Sequence, residues 1–390
     1  MSSPVKDAAA TREELRCRAS ALVPVLKERA ARTEELRRIP PETVQDLVSS
    51  GLIRIGTPKR YGGLGVEYDA AFDVGFEFGR VCGSTAWCYC LWTVHNWWVG
   101  HFPERAQDEF FANGPDTLAS SSLNPTSGKA TAVAGGWRIS GRWSFSSGCD
   151  AAGWAFLAVP GPHGPLWTLL PRPDYDILDT WFPSGMRGTG SKDIVVSDVF
   201  VPEHRTMDPS RAGDGEWTGW ELHRRPSYRL PIRCMTGWDL LTPLIGIAQG
   251  AIDAFTARFR DTSGHGRTAE SALMQVRLAE ASAEVDAARE LQRRAVREIL
   301  DKAGRGEEFT NLERARYRRD KTFAARLCVK AVNRLCEGSG GGAIAEVEPI
   351  QRCHRDVNAG AQHQGLSWDA AAEDYGRQAL GLPPGPGRYA

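Results

Sequence analysis

The chain has 390 residues, and 48 basic residues balance 48 acidic ones, so no bulk field exists to attract nucleic acid or an anionic membrane. At roughly 100–200 residues per unit, the length suggests two or three structural units. Nine cysteines include no Cys-x-x-Cys pair, which argues against a disulfide framework or zinc ribbon, and no metal is expected.

Residues 1–10 lack the apolar run of a signal peptide, and no stretch of 18 apolar residues follows, so a soluble cytoplasmic protein is expected. Over 11–37, apolar residues at helical spacing (Leu15, Ala19, Leu22, Leu26, Ala30) predict an amphipathic helix. Pro40-Pro41 starts a second helix and Gly51 stops it. A glycine turn at 61–65 leads into helix-like stretches through about Phe111, and Asn113-Gly114-Pro115 marks a boundary. From about 116 to 205 the period becomes two. Trp137, Ile139, Trp143 and Phe145 share one face, and Arg138, Ser140, Arg142, Ser144 and Ser146 the other, predicting a half-buried antiparallel strand. Further strands are predicted at Trp154–Val159, Leu166–Leu170, Tyr175–Asp179 and Lys192–Val201. After a connection at about 206–236, Met274, Leu278, Ala281, Val285, Ala288, Ala295 and Ile299 form the seam of a long bundle helix. A second long helix is predicted over Glu313–Glu337, ended by Gly338–Gly342. The predicted class is α+β, with a helical domain over 1–115, a β domain over 116–212 and a helical bundle over 213–390.

Four segments in this order resemble the acyl-CoA dehydrogenase family: Pro58–Gly65, Trp137–Gly148, Gly185–Ser191 and Arg355-Asp356. The resemblance implies an N-terminal helical domain, a central β-barrel or sandwich and a C-terminal four-helix bundle. Many such dehydrogenases carry a Glu-Gly-Thr segment after the Arg-Asp pair, whose carboxylate removes the substrate α-proton. Here the stretch Asn358–Trp368 carries His363 and no glutamate. In this respect the sequence looks more like the oxygenase components of two-component flavin monooxygenases, the aromatic hydroxylases among them. That branch implies reduced FAD or FMN, with FAD preferred, and O2 reacting through a C4a-hydroperoxyflavin. It also implies a phenolic or indole-type substrate, a separate NAD(P)H:flavin reductase and a homotetramer or dimer. An amino-sugar N-oxygenase of the same fold and a true acyl-CoA dehydrogenase with FAD are the alternatives, beside a non-enzymatic scaffold.

Such chemistry needs a dry pocket, hydrogen bonds to the flavin and a base for the substrate. By the resemblance, Ser146, Ser147 and Gly148 lie against the flavin, with a hydroxyl at N5; read alone, they are a strand end closed by a turn. His363 takes the place of a flavin-proximal histidine, although a histidine in a Gly/Gln loop is ordinarily a surface residue. His95 falls where phenol hydroxylases carry a substrate-facing base, with Ser121 or Ser122 as its companion; a core histidine on an aromatic helix is the other reading. Thr189 and Ser191 belong to a loop over the flavin, and Arg258, Arg260 or Arg267 would meet a phosphate. Nine of the 13 tryptophans fall between Trp87 and Trp181, a stretch that brackets His95 and Ser146–Gly148 and suits a water-excluding pocket.

Several motifs fail their own context. Gly338-Ser-Gly-Gly-Gly-Ala343 formally matches a dinucleotide fingerprint but follows a predicted helix, so no nicotinamide module is expected and electrons should arrive as reduced flavin. Cys88, Cys90 and His95, like Cys353-His354, lack zinc spacing.

Overall fold

A computed structural model describes residues 10–211, 218–260 and 270–383 and follows the helix–strand–helix order of the periodicity. The first helices are α1 (Arg12–Leu36), α2 (Pro41–Ser49), α3 (Ala70–Gly79), α4 (Gly83–Val99) and α5 (Glu104–Phe110). The strands are β1 (Ala119–Ser122), β2 (Gly128–Val133), β3 (Gly136–Ser146), β4 (Trp154–Gly161), β5 (Gly164–Pro171), β6 (Asp176–Leu178), β7 (Lys192–Pro202) and β8 (Thr206–Met207). Then come α6 (Thr218–His223), α7 (Ile232–Met235), α8 (Trp238–Arg260), α9 (Ala272–Arg305), α10 (Asn311–Gly338), α11 (Pro349–Gly360) and α12 (Trp368–Ala379).

Helix starts follow their local chemistry. The Thr11 hydroxyl accepts from the Glu14 N–H at 3.2 Å while the Glu14 carboxylate accepts from the Thr11 N–H, and Thr310 with Glu313 repeats this reciprocal cap on α10. Helix α8 is apolar enough by length and composition to cross a membrane, yet it forms the centre of the bundle, packed against α3, α4, α9, α10 and α11.

The strands form two four-stranded sheets, β1-β4-β5-β8 and β2-β3-β7-β6, in which only the β1–β4 pair is parallel. Ile139, Trp143, Leu157, Val159, Leu166, Ile194 and Val196 fill the space between them, and Trp143 Nε1 donates across it to the Ala158 carbonyl at 2.8 Å. The other face of β4 and β5, with Phe156, Ala158, Trp167 and Leu169, packs on the helices and joins the larger apolar core. Burial on both faces is why β4 reads as a nearly unbroken apolar run.

Two features depart from the sequence reading. Strands β1 and β2 are absent from it, because Ala-Ser-Ser-Ser carries no alternation and Gly-Lys-Ala-Thr-Ala-Val little. Phe145, expected on the buried face with Trp143, is 70% exposed, whereas Ser146 is fully buried. A register shift between Trp143 and Ser146, with Phe145 at φ +68°, turns the strand over and reverses its last two side chains.

Directly after this bulge, Gly148 sits at φ +71°, and a Cβ there would lie 2.6 Å from Trp92 Nε1. Gly148→Ala is expected to lower the unfolding free energy by about 1–3 kcal/mol. Urea unfolding checks it; an unchanged midpoint would show that the turn tolerates a side chain.

Candidate functional site

The site is organised around α4, whose 17 residues are all buried. Any partner of its polar side chains must lie inside the protein, and those of His95 and Trp87 lie on the β segment. His95 is fully buried, with Nδ1 2.5 Å from the Ala119 carbonyl and Nε2 2.9 Å from Ser121 Oγ. A carbonyl only accepts, so Nδ1 carries the proton, Nε2 is the bare acceptor and the Ser121 hydroxyl donates to it. Burial pushes the His95 pKa down to about 4, so the ring is neutral at physiological pH. Trp98 and Phe156 flank the ring at centroid distances of 4.9 and 5.4 Å, and Trp167 lies against Trp98. The neighbouring Ser122 hydroxyl donates instead to the Ser144 carbonyl at 2.7 Å, so Ser121 is the partner of His95.

Eight residues earlier on the same helix, about 12 Å along its axis, Trp87 Nε1 donates to Ser147 Oγ at 3.2 Å. Ser147 Oγ lies 2.7 Å from Ser191 Oγ, which lies 2.7 Å from Thr189 Oγ1, and Thr189 donates to the Met186 carbonyl at 2.9 Å. Thus Ser147, Thr189 and Ser191 meet in one hydroxyl cluster. Ser146 does not join it: its hydroxyl donates to Ser120 Oγ at 3.0 Å. The loop 185–191 is itself tightly held. Gly148 N–H donates to the Thr189 carbonyl at 2.8 Å, and the Cys88 and Cys149 thiols donate to the Thr189 and Gly190 carbonyls at 3.5 Å.

The Arg-Asp pair pins this loop from the bundle side. Asp356 Oδ1 accepts from the Met186 N–H at 2.6 Å, and Arg355 donates to the Ser184 carbonyl and pairs with Glu34 on α1. Burial raises the Asp356 pKa to about 7.

His363 follows α11, its ring 5.8 Å from that of Trp87. Its Nδ1 accepts from the Gly365 N–H at 3.0 Å, which leaves Nε2 as the N–H donor. The ring is open to solvent while protein surrounds it at depth, as on a cleft wall; where water is excluded, burial pushes its pKa down to about 4, and nearby Lys321 adds to the push. Lys321 is a buried lysine that donates to the Thr236 carbonyl at 2.7 Å, its pKa lowered to about 8 by desolvation.

The predicted phosphate arginines stand apart. Arg258 pairs with Glu348 at 3.1 Å, about 27 Å along α8 from Leu240, the residue beside Gly365 and His363. Arg260 ends α8, and Arg267 lies outside the described residues. Glu337, at the end of α10, pairs with Arg277 and takes no part in the site.

The residues between Phe145 and His363 fit a flavin. Phe145 holds a bulky side chain at positive φ with its ring 70% exposed, a strained arrangement that offers an aromatic face beside Ser147. Gly148, lacking a Cβ, lets the Trp92 indole pack directly against the turn, and the Trp92 Nε1–H is buried without an acceptor among the described residues. Neither Phe145 nor Trp87 was identifiable from sequence. A φ sign leaves no mark on a phenylalanine, and Trp87 is one indole among many.

A strand bulge, a glycine loop and a bundle histidine gathered around Trp87 are the elements of a flavoprotein of the acyl-CoA dehydrogenase type. Residues 9–110 match the family described as acyl-CoA dehydrogenase, N-terminal domain, and residues 240–368 that described as acyl-CoA dehydrogenase, C-terminal domain. The chain is 36% identical over 376 residues to the flavin-dependent monooxygenase oxygenase subunit HsaA of Mycobacterium tuberculosis, covering 93% of this chain and 94% of that one. The HsaA crystal structure superimposes with a TM-score of 0.91 at 35% identity, over 96% and 99% of the two chains. The FADH(2)-dependent resorcinol hydroxylase oxygenase component of a Rhizobium strain is 34% identical over 95% of each chain. XiaF from Streptomyces, solved with FADH2 and glycerol, gives a TM-score of 0.86 at 29% identity over 96% of each chain. The chain belongs to the acyl-CoA dehydrogenase family and, within it, to the flavin-dependent monooxygenases.

Two outcomes test this geometry. Because the folded pKa of His95 lies below the unfolded value near 6.5, the unfolded state binds more protons between about pH 6.5 and 4, and stability falls with pH across that window. Between pH 7 and 5 His95 should account for about 2 kcal/mol of the loss; H95N, which cannot titrate, should lose that much less in urea unfolding. Asp356→Ala orphans the Met186 N–H and should cost about 1–3 kcal/mol while weakening flavin binding; unchanged thermal unfolding would remove the pinning role of Asp356.

Proposed function

We propose that this protein is the oxygenase component of a two-component system that hydroxylates an aromatic small molecule carrying a phenolic or indole-type N–H/O–H group. A separate NAD(P)H:flavin reductase would deliver reduced FAD or FMN. The observation that carries the reading is the His95–Ser121 pair, flanked by Trp98 and Phe156, in which the imidazole is buried and Ser121 is partly exposed. His95 itself has no exposed surface, so the substrate hydroxyl meets Ser121 Oγ and the imidazole stands behind it.

When bound, reduced flavin with O2 supplies the electrophilic oxygen. The chain's residues handle the protons. Ser121 accepts the substrate proton while passing its own to His95 Nε2, and the Nδ1–H bond to Ala119 steadies the charge that forms. Magnitudes decide the timing. A phenol with pKa near 10 facing a histidine held near 4 makes full transfer uphill by about 8 kcal/mol before reaction. The proton therefore moves as oxygen adds to the ring and the substrate hydroxyl becomes acidic; until then Ser121 orients it. On the flavin side, Phe145 provides a stacking face, Ser147 a hydroxyl oxygen and His363 Nε2 an N–H.

The aromatic surroundings of His95 favour a planar ring over an amino sugar. Exposed Ile344 and Val347 after α10, with Leu273 and Val276 on α9, supply apolar surface for the homotetramer or dimer of this reading. Domains at 1–115, 116–212 and 213–390 and a cytoplasmic location belong to the same proposal.

Supplying reduced flavin and O2 to H95A or S121A should lower hydroxylation 10²–10⁴-fold while O2 is still consumed, as product counted against O2 uptake will show. Hydroxylation within a few-fold of wild type in both variants would overturn the proton assignment. His363→Ala should raise the share of O2 consumed without product; unchanged coupling would remove its role.

A further inference from the structure

The hydroxyl cluster beside Trp87 has a direction that its end groups impose. The Met186 carbonyl can only accept; it takes the Trp181 Nε1–H at 3.2 Å, the Thr189 N–H at 3.1 Å and, at the shorter 2.9 Å, the Thr189 hydroxyl, which places its single proton there. The 2.7 Å contact between Thr189 and Ser191 is then a bond donated by Ser191. With that proton spent, the 2.7 Å contact between Ser191 and Ser147 is donated by Ser147. At the other end Trp87 Nε1–H can only donate, and it donates to Ser147 at 3.2 Å. Ser147, 6% exposed, is left with no proton to offer and one free lone pair.

We propose that Thr189 and Ser191 are positioning residues that hold Ser147 as a pure acceptor, and that this wiring makes the site select reduced over oxidised flavin. The inference rests on the reading that Ser147 faces the flavin ring. Reduced flavin carries a hydrogen on its central ring nitrogen N5 and can donate to Ser147. Oxidised flavin presents a lone pair there and meets a second acceptor. To donate to it, the whole chain must reverse, and the Thr189–Met186 bond is lost. An oxygenase supplied by a separate reductase needs this preference: it captures the charged form from solution and lets the spent form leave.

One hydrogen bond lost on reversal corresponds to roughly tenfold in affinity. The test is equilibrium titration of the whole protein with oxidised FAD and, under anaerobic conditions, with chemically reduced FAD, together with the midpoint potential of the bound flavin. In S191A the Ser147 proton loses its acceptor and is free to turn to oxidised N5. In T189V, Ser191 loses its acceptor and can donate to Ser147, with the same result. Both variants should bind oxidised FAD more tightly relative to reduced FAD by roughly tenfold, lowering the bound potential by about 30 mV. Ratios and potentials equal to wild type in both would overturn the proposal. Ser147→Ala separates the two layers: if it leaves the affinities for both redox states unchanged, Ser147 is not at the ring and the underlying reading fails. If it weakens reduced FAD while S191A and T189V keep the wild-type ratio, only the wiring fails.

Discussion

The structure depends on a helix that has no outside. Helix α4 is enclosed along its whole length by α3, α8, α11, β1 and the loop 185–191, so none of its polar side chains can turn to water. In an ordinary amphipathic helix the polar groups are solvated and carry no positional information. Here the polar groups that find partners find particular ones: Asn96 Nδ2 meets Thr57, His95 meets Ala119 and Ser121, and Trp87 meets Ser147. The enclosed helix thus fixes the distance between the Trp87 cluster and the His95–Ser121 pair as a number of helical turns.

The strain in the molecule lies on the strand and loop facing that helix. Phe145 and Met186 both hold positive φ without being glycine, and they stand two and three residues from a hydroxyl of the cluster. Such conformations persist only where the surroundings over-determine them. The register shift in β3, the Asp356 bond to Met186 and the two thiol contacts supply that constraint. Cys88, set aside as a zinc ligand in the sequence, and Cys149 are buried residues whose thiols also hold the loop.

Much of the architecture was legible because burial leaves a period. Ile139 and Trp143 alternate with polar neighbours, and the seam from Met274 to Ile299 marks α9 before any coordinates. Motif order named His95, Ser147, Thr189, Ser191 and His363 as candidates, and the structure brings the last four together around Trp87. What stayed hidden is geometry without compositional signature. Strand β1 is a run of serines that only a neighbouring strand makes into a strand, the Phe145 reversal depends on one dihedral angle, and Arg258 was indistinguishable from other arginines until Glu348 appeared opposite it.

Strand β1 has one more consequence. Its successive side chains point to opposite faces, so Ser120 meets Ser146 of the flavin-side strand while Ser121 meets His95. Two half-sites are thereby threaded on adjacent residues of a four-residue strand with a single parallel neighbour. A one-residue insertion or deletion between Phe110 and Ala119 that slid this strand would exchange the two serines and spoil both halves together. The length of that short connection is therefore as much a part of the site as the side chains it carries.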